Sequence, residues 1–300
     1  MNMAEHPPLL RGELRAHEPM ARHVSWRAGG CADRAYLPMD LDDLRAFVAS
    51  RPSDEPLYFI GLGSNLLVRD GGWHGTVVLT QHALRLLRLE GDTIYAEAGV
   101  PSPKVARFAA ANGFEGAEFL AGVPGTVGGA LAMNAGCYGG ETWNIVEAAT
   151  TLDRGGHLHR RIGLDYTIGY RAVKPRTDGE EWFIAARFRL PRGDAAKAAA
   201  MIRQFLERRM ATQPLDQPNA GSVFRNPPGK HAAHLIEACG LKGRISGGAM
   251  ISDKHANFIV NCGNACAADI EALIELAERT VREKFGIVLE REVRIVGEPA

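Results

Sequence analysis

The stretch that most constrains what this chain can fold into runs from Ala121 to Glu141, AGVPGTVGGALAMNAGCYGGE. It holds seven glycines (Gly122, Gly125, Gly128, Gly129, Gly136, Gly139 and Gly140) among small residues, and Glu141 is its only charged group. Such a segment cannot form an amphipathic helix. Glycine costs backbone entropy in any regular element and serves where the chain must turn sharply or approach another group closely. A second run, Gly61-Leu62-Gly63-Ser64-Asn65-Leu66-Leu67, lies earlier. Two such runs suggest one large phosphate-bearing ligand held by main-chain N–H groups. They are equally compatible with tight loops alone.

The flanking patterns exclude two familiar phosphate cradles. Leu57 to Ile60 reads as a buried strand running into Gly61, but Arg69-Asp70-Gly71-Gly72 follows the first run and no helix pattern does. A dinucleotide fingerprint must open a helix, and neither run carries Gly-Lys-Ser/Thr, so Rossmann and P-loop readings both fail. Elsewhere, helices are expected over 40–50, from Ser102 as N-cap with Pro103 at the first helical position, from Asp194 to about Met210, over 231–239 and from Ile270 to Phe285. Strands are expected at 77–79, 94–98, 144–152, 182–190, 257–260 and 287–296, with an irregular polar span around Tyr166 to Arg176. In the last strand Leu289, Val293 and Ile295 share one side, and Glu290, Glu292 and Arg294 the other. The mixed order, without strict alternation, indicates α+β architecture.

The totals narrow the function class. The 300 residues carry zero formal net charge, which favours neither nucleic acid nor an anionic membrane. No apolar run approaches the roughly 20 residues needed to span a bilayer. Met1 to Arg15 is polar and lacks a signal-peptide core, so residues 1–20 read as a flexible leader of a cytoplasmic protein. The five cysteines (Cys31, Cys137, Cys239, Cys262 and Cys266) are odd in number and scattered, which argues for buried free thiols. No metal set is expected, and no interface stands out, so a monomer is expected.

Three polar residues invite chemical readings. Ser222 follows a flexible Ala220-Gly221 pair, and a serine can act as an acid only in a charged or dipolar environment. It is not a nucleophile elbow, which requires Gly-x-Ser-x-Gly. Glu292 reads as a strand carboxylate able to pair with Arg291 or Arg294. Arg171, in Gly169-Tyr170-Arg171, is either a surface arginine or a clamp for developing negative charge.

Six segments in order resemble one family. They are Gly61-Leu-Gly-Ser-Asn-Leu-Leu67, Gly122-Val-Pro-Gly-Thr-Val-Gly-Gly-Ala-Leu-Ala-Met-Asn-Ala-Gly136, Gly169-Tyr-Arg171, Asn219-Ala-Gly-Ser-Val-Phe-Arg-Asn-Pro227, Lys254-His-Ala-Asn257 and Leu289-Glu-Arg-Glu-Val-Arg-Ile295. The chain, from about Trp26 to Gly297, resembles the UDP-N-acetylenolpyruvoylglucosamine reductases of peptidoglycan precursor synthesis. The short span between Arg171 and Trp182 leaves no room for an extra tyrosine-bearing loop, so it resembles the shorter subclass. Val173 stands where the family often has a serine.

The resemblance implies a two-lobed FAD-binding domain of the vanillyl-alcohol-oxidase (PCMH) type over 21–192, with lobes of about 21–85 and 86–192. It implies a C-terminal α/β substrate-binding domain over 193–300 that closes over the substrate. Non-covalent FAD would contact Gly61, Gly63, Ser64, Asn65 and Leu66, and then Gly125, Thr126, Gly129, Asn134 and Gly136. NADPH would give a hydride to FAD and leave. UDP-N-acetylglucosamine enolpyruvate would then accept it, yielding UDP-N-acetylmuramate for cell-wall biogenesis and hence cell shape and division. By the same resemblance Ser222 is the proton donor, and Arg171 and Glu292 stabilise the enol. Asn226, Gln213 and His255 fall at substrate-site positions. A flavin oxidase of another substrate, or a non-catalytic flavin protein, is the competing reading. The presence of all three polar residues argues against both.

Overall fold

The computed structural model describes residues 10–300, and the chain within them divides into two units, each assembled from separated stretches. The first holds residues 34–61 and 75–195 together with 10–16; the second holds 17–33, 62–74 and 196–300. Residues 1–9 of the expected leader lie outside the described residues, and its second half is structured, because Glu13–Pro19 is a strand. The first Gly-rich run is cut between Gly61 and Leu62, so the units do not follow the lobes 21–85 and 86–192. The last stretch of the second unit begins at Ala196.

The first unit is built on a five-stranded antiparallel sheet in the order Leu158–Arg161, Val146–Asp153, Glu181–Arg189, Thr93–Glu97, Leu87–Glu90. Leu57–Ile60 also pairs in parallel with the second half of Trp73–Leu79, Leu57 opposite Thr76 and Ile60 opposite Leu79. The helix Leu41–Ala49 forms as its spacing predicts, capped by Asp40, whose side chain accepts from the Asp43 N–H. Leu44, Phe47 and Val48 are its buried side and pack with Tyr36, Leu57, Val78, Leu152 and Ile184. Tyr36 and Phe47 stack with centroids 3.7 Å apart.

In the second unit the long helix Ala267–Phe285 buries Ile270, Leu273, Ile274, Ala277 and Val281 and ends on Gly286 in the left-handed region. Its core also takes Trp26, Leu67, Val223, Phe224, Leu289 and Val293. Trp26 is fully buried and donates its indole N–H to the Ile259 carbonyl at 2.7 Å. No helix among the described residues is long and apolar enough to cross a membrane.

Several expectations change. The Gly-rich stretch does contain a helix, Val127–Met133, too short and too small in its side chains to show a stripe. Ser102 lies inside its helix and Pro101 is the N-cap, so Pro103 is the second helical residue. The span around Tyr166 to Arg176 is a hairpin, Tyr166–Gly169 against Ala172–Pro175. The last strand shrinks to Arg294–Val296, yet Leu289 and Val293 are buried and Glu290 and Arg294 exposed, as the alternation predicts. All five cysteines are free, but Cys31, Cys262 and Cys266 are exposed rather than buried.

One buried carboxylate organises the entry to the first unit. Asp43, 3% exposed, accepts from the Tyr36 hydroxyl at 2.7 Å and from the N–H groups of Arg11 (2.7 Å) and Met39 (2.9 Å). Burial alone would raise its pKa, but these donors outweigh burial and lower it. Asp43→Ala leaves three donors without this acceptor and is expected to cost about 3 kcal/mol, read as a lower thermal midpoint. Because the folded pKa is depressed, the contribution is present above about pH 4 and fades as pH falls through the folded value. An Asp43→Ala melting point equal to the native one at pH 7 would contradict this account.

Candidate active site

In the first unit the Gly-rich stretch is shaped by close contacts. A Cβ on Gly61 would overlap the Thr126 hydroxyl, so only glycine allows this approach. Thr126 is the N-cap of Val127–Met133, and the first N–H groups of that helix are satisfied by protein. Val127 donates to the Val100 carbonyl and Gly128 to the Ala98 carbonyl, each at 2.9 Å. Gly129 differs from its neighbours. It is exposed, and a Cβ there would meet no protein atom within 4 Å.

Gly61, Thr126, Gly128, Gly129 and Ala132 line a cleft of about 380 Å³. Phe59, Tyr166, Trp182 and Phe183 also line it, with Phe59 and Trp182 stacked at 4.6 Å and Tyr166 and Phe183 tilted at 5.6 Å. Burial pushes the Tyr166 hydroxyl pKa up, so it stays protonated. A cleft lined by small and aromatic residues suits a large, flat, partly apolar ligand. Of the residues expected to hold FAD, Gly61, Thr126 and Gly129 line this cleft. Gly125 does not line it, and its carbonyl accepts the Ser102 N–H at 2.9 Å. The aromatic lining was not legible in the sequence. Its members come from three separated strands, and Tyr166 sat in a span read as irregular.

Asn134 and Gly136 have partners of their own. Asn134 closes the helix at φ +45° and is 1% exposed. Its amide donates to the Gly169 carbonyl (3.1 Å) and a Glu141 oxygen (2.9 Å), and its oxygen accepts the Trp143 N–H at 3.0 Å. The side chain is thus engaged with protein groups at all three contacts. Gly136 pairs with Glu141 across a short hairpin.

Arg171 occupies the two-residue turn of the Tyr166–Pro175 hairpin at φ +54°. Its Nη2 donates to the Gly136 carbonyl at 2.5 Å, and its guanidinium carbon lies 4.9 Å from the centroid of the Tyr170 ring. Val173 pairs with Ile168 in the ladder and lines the cleft.

In the second unit Gly63 adopts φ +57°, and a Cβ there would overlap the His23 carbonyl. Its own carbonyl accepts the Ser25 N–H at 3.1 Å. Ser64 and Asn65 are half-buried, whereas the Leu66 side chain is 4% exposed, so Leu66 can reach a ligand only through its backbone. The Asn65 amide donates to the Glu292 carbonyl at 3.0 Å, and its backbone carbonyl accepts from Arg294 at 3.0 Å. Leu66–Val68 then pairs in parallel with Arg294–Val296.

The same unit brings Ser222 and Glu292 together. Glu292 N–H donates to the Val223 carbonyl at 2.8 Å, so the residue after Ser222 is hydrogen-bonded to Glu292. On the other flank Val223 N–H donates to the Asn257 carbonyl at 2.9 Å. The Asn257 side chain clamps Phe224, accepting from its N–H (3.0 Å) and donating to its carbonyl (2.8 Å). Gly221, at φ +75°, supplies the turn just before Ser222. Ser222 and Glu292 are both half-buried. Asn257 was legible as a motif residue but not as the clamp of the serine segment, because its partner lies 33 residues away in sequence.

The three expected substrate positions also fall in this unit, each with a protein contact. The Asn226 oxygen accepts the Ala232 N–H at 3.0 Å. The Gln213 oxygen accepts from Arg209 at 2.9 Å. His255 packs edge-on against Phe258 at 4.7 Å, and burial lowers its pKa, which keeps it neutral near pH 7.

Residues 32–161 match the FAD binding domain family, and residues 213–296 match the UDP-N-acetylenolpyruvoylglucosamine reductase C-terminal domain family. The chain is 56% identical to the UDP-N-acetylenolpyruvoylglucosamine reductase of Thiobacillus denitrificans, over 97% of this chain and 94% of that one. It is 54% identical to the one of Alkalilimnicola ehrlichii, over 99% of each. It resembles the crystal structure of the Thermus caldophilus reductase with a TM-score of 0.80 at 31% identity, over 95% of this chain and 98% of that one. The open position at Gly129 fits FAD, since a side chain there would enter the cleft rather than any protein neighbour. The chain therefore belongs to the UDP-N-acetylenolpyruvoylglucosamine reductase family and is an FAD-dependent oxidoreductase.

Proposed function

We propose that the protein reduces UDP-N-acetylglucosamine enolpyruvate to UDP-N-acetylmuramate with NADPH, in cytoplasmic peptidoglycan precursor synthesis. The observation that carries the reading is the hydrogen bond between Glu292 and Val223, which holds an expected carboxyl and an expected proton donor on adjoining backbone. Family membership over nearly the full length supports the substrate.

FAD, when bound, relays a hydride from NADPH to the methylene carbon of the enolpyruvyl group. The residues of this chain handle the resulting charge and the proton. Hydride addition leaves negative charge on the neighbouring carbon, delocalised into the substrate carboxylate. The Arg171 guanidinium offsets that charge as it develops. The Ser222 hydroxyl gives its proton to the carbon, completing conversion of the C=C bond to a C–C bond. The Glu292 carboxyl stabilises the enol alongside Arg171. In the cleft Gly61, Thr126 and Gly129 hold the cofactor by close backbone approach, and Gly63, Ser64, Asn65 and Leu66 contact its pyrophosphate. Asn226, Gln213 and His255 contact the sugar nucleotide. In this assignment residues 21–192 serve the cofactor and 193–300 the substrate.

Two experiments test the reading. Purified protein is expected to be yellow and to bleach on anaerobic addition of NADPH, and the enolpyruvyl sugar nucleotide alone should restore the colour. Reduced protein that stays bleached with that compound would sink the substrate assignment. Ser222→Ala should leave flavin reduction by NADPH nearly intact and slow the second half-reaction by at least ~10²-fold. Equal slowing of both halves would remove the serine from its role as acid.

A further inference from the structure

The geometry points to Asn134 as a positioning residue for Arg171, acting through a hydrogen-bonded network around the Gly136 hairpin. The proposal rests on the reading of Arg171 as the group that offsets charge on the substrate.

A helix end at φ +45° needs only an asparagine or a glycine, and glycine meets that need with the least strain. Closing the helix therefore does not account for the use Asn134 makes of its side chain. Both hydrogen-bonding ends of the amide are used, by three partners, and two of those partners lead to Arg171. One amide hydrogen goes to the Gly169 carbonyl, at the base of the turn that carries Arg171. The other goes to Glu141, which pairs with Gly136 across the hairpin, and the Gly136 carbonyl receives the Arg171 guanidinium. The hairpin that presents Arg171 is thus held at its base, and the guanidinium is held near its tip.

Arg171 needs such support. It takes φ +54° in a two-residue turn, a conformation that an arginine does not prefer and that neighbouring contacts must impose. The residue two positions on, Val173, is apolar and cannot hydrogen-bond the turn through its side chain. Asn134 is nearly inaccessible, so it acts on the reaction through Arg171 rather than by touching substrate. It was expected from the sequence as a cofactor contact, whereas its amide is engaged by Gly169, Glu141 and Trp143.

The test is stopped-flow measurement of the two half-reactions in holoenzyme. Asn134→Gly retains the left-handed helix end and removes the amide. It should slow reoxidation by the enolpyruvyl sugar nucleotide roughly tenfold to a hundredfold more than it slows flavin reduction by NADPH. In an Arg171→Ala background the same change should alter reoxidation by less than about twofold, because its target is gone. Equal slowing of both halves, or an undiminished effect without Arg171, would overturn the proposal. A Glu141 pair covers the case in which Asn134→Gly does not retain flavin. Glu141→Gln keeps an acceptor for Asn134 and should stay within about threefold of the native rate, while Glu141→Ala should slow reoxidation only when Arg171 is present. A Glu141→Ala effect that persists without Arg171 rejects the network. Failure of the native protein to reoxidise defeats the proposed function itself, and that outcome is read before any variant is made.

Discussion

The close backbone approach of Gly61 to Thr126 is the constraint on which the site in the first unit depends. The two glycine-bearing segments lie far apart in sequence, and a Cβ at Gly61 would overlap the threonine hydroxyl. Thr126 in turn stands at the N-cap position of the short helix whose Gly128, Gly129 and Ala132 line the cleft. Removing one methyl-sized volume at Gly61 is therefore what lets the end of a parallel strand and the start of a helix form one surface. Of the aromatic lining, Trp182 and Phe183 are set by the ladder of Glu181–Arg189, Phe59 by pairing with Trp73–Leu79, and Tyr166 by the hairpin with Ala172–Pro175.

The second unit solves a different problem, holding a glycine-bearing loop and a serine segment with backbone hydrogen bonds from the far end of the chain. Asn65 and Glu292 are 227 residues apart and share a hydrogen bond. Closing so long a loop costs entropy that grows only logarithmically with length, so one short parallel ladder and a buried core can sustain it. The result ties the loop at Asn65, the Glu292 backbone and the Ser222 segment into a single hydrogen-bonded layer: Asn65 to Glu292, Glu292 to Val223, Val223 to Asn257. Asn257 is the last member of that layer and the side chain that fixes Phe224.

Much of the secondary structure was legible because its determinants are local. The helix Leu41–Ala49 shows an apolar stripe and an aspartate cap, and Ala267–Phe285 shows the same stripe and a terminal glycine. The helix Val127–Met133 was not legible for an equally physical reason. Glycine lowers helix propensity, and the stretch has no large side chains to mark a face. It forms because tertiary contacts supply what the sequence lacks: the carbonyls of Ala98 and Val100 take its first N–H groups. The hairpin carrying Arg171 was missed similarly, since its turn has no glycine at the left-handed position and its support comes from Asn134 and Gly136.

The sequence by itself determined the family, the α+β class, the need for close backbone approach at the glycine runs, and the choice of Arg171, Ser222 and Glu292 as candidate groups. The family and the candidate groups follow from motifs that resemble that family in order along the chain, and these survive without any knowledge of distant contacts. Only the tertiary structure decided that Gly129 shares a cleft with four aromatic residues, that Glu292 is bonded to the residue beside Ser222, and that Asn134 is bonded to the base of the Arg171 hairpin. Each of these depends on groups brought together across long separations by burial and hydrogen bonding, and no local pattern in the chain encodes such a meeting.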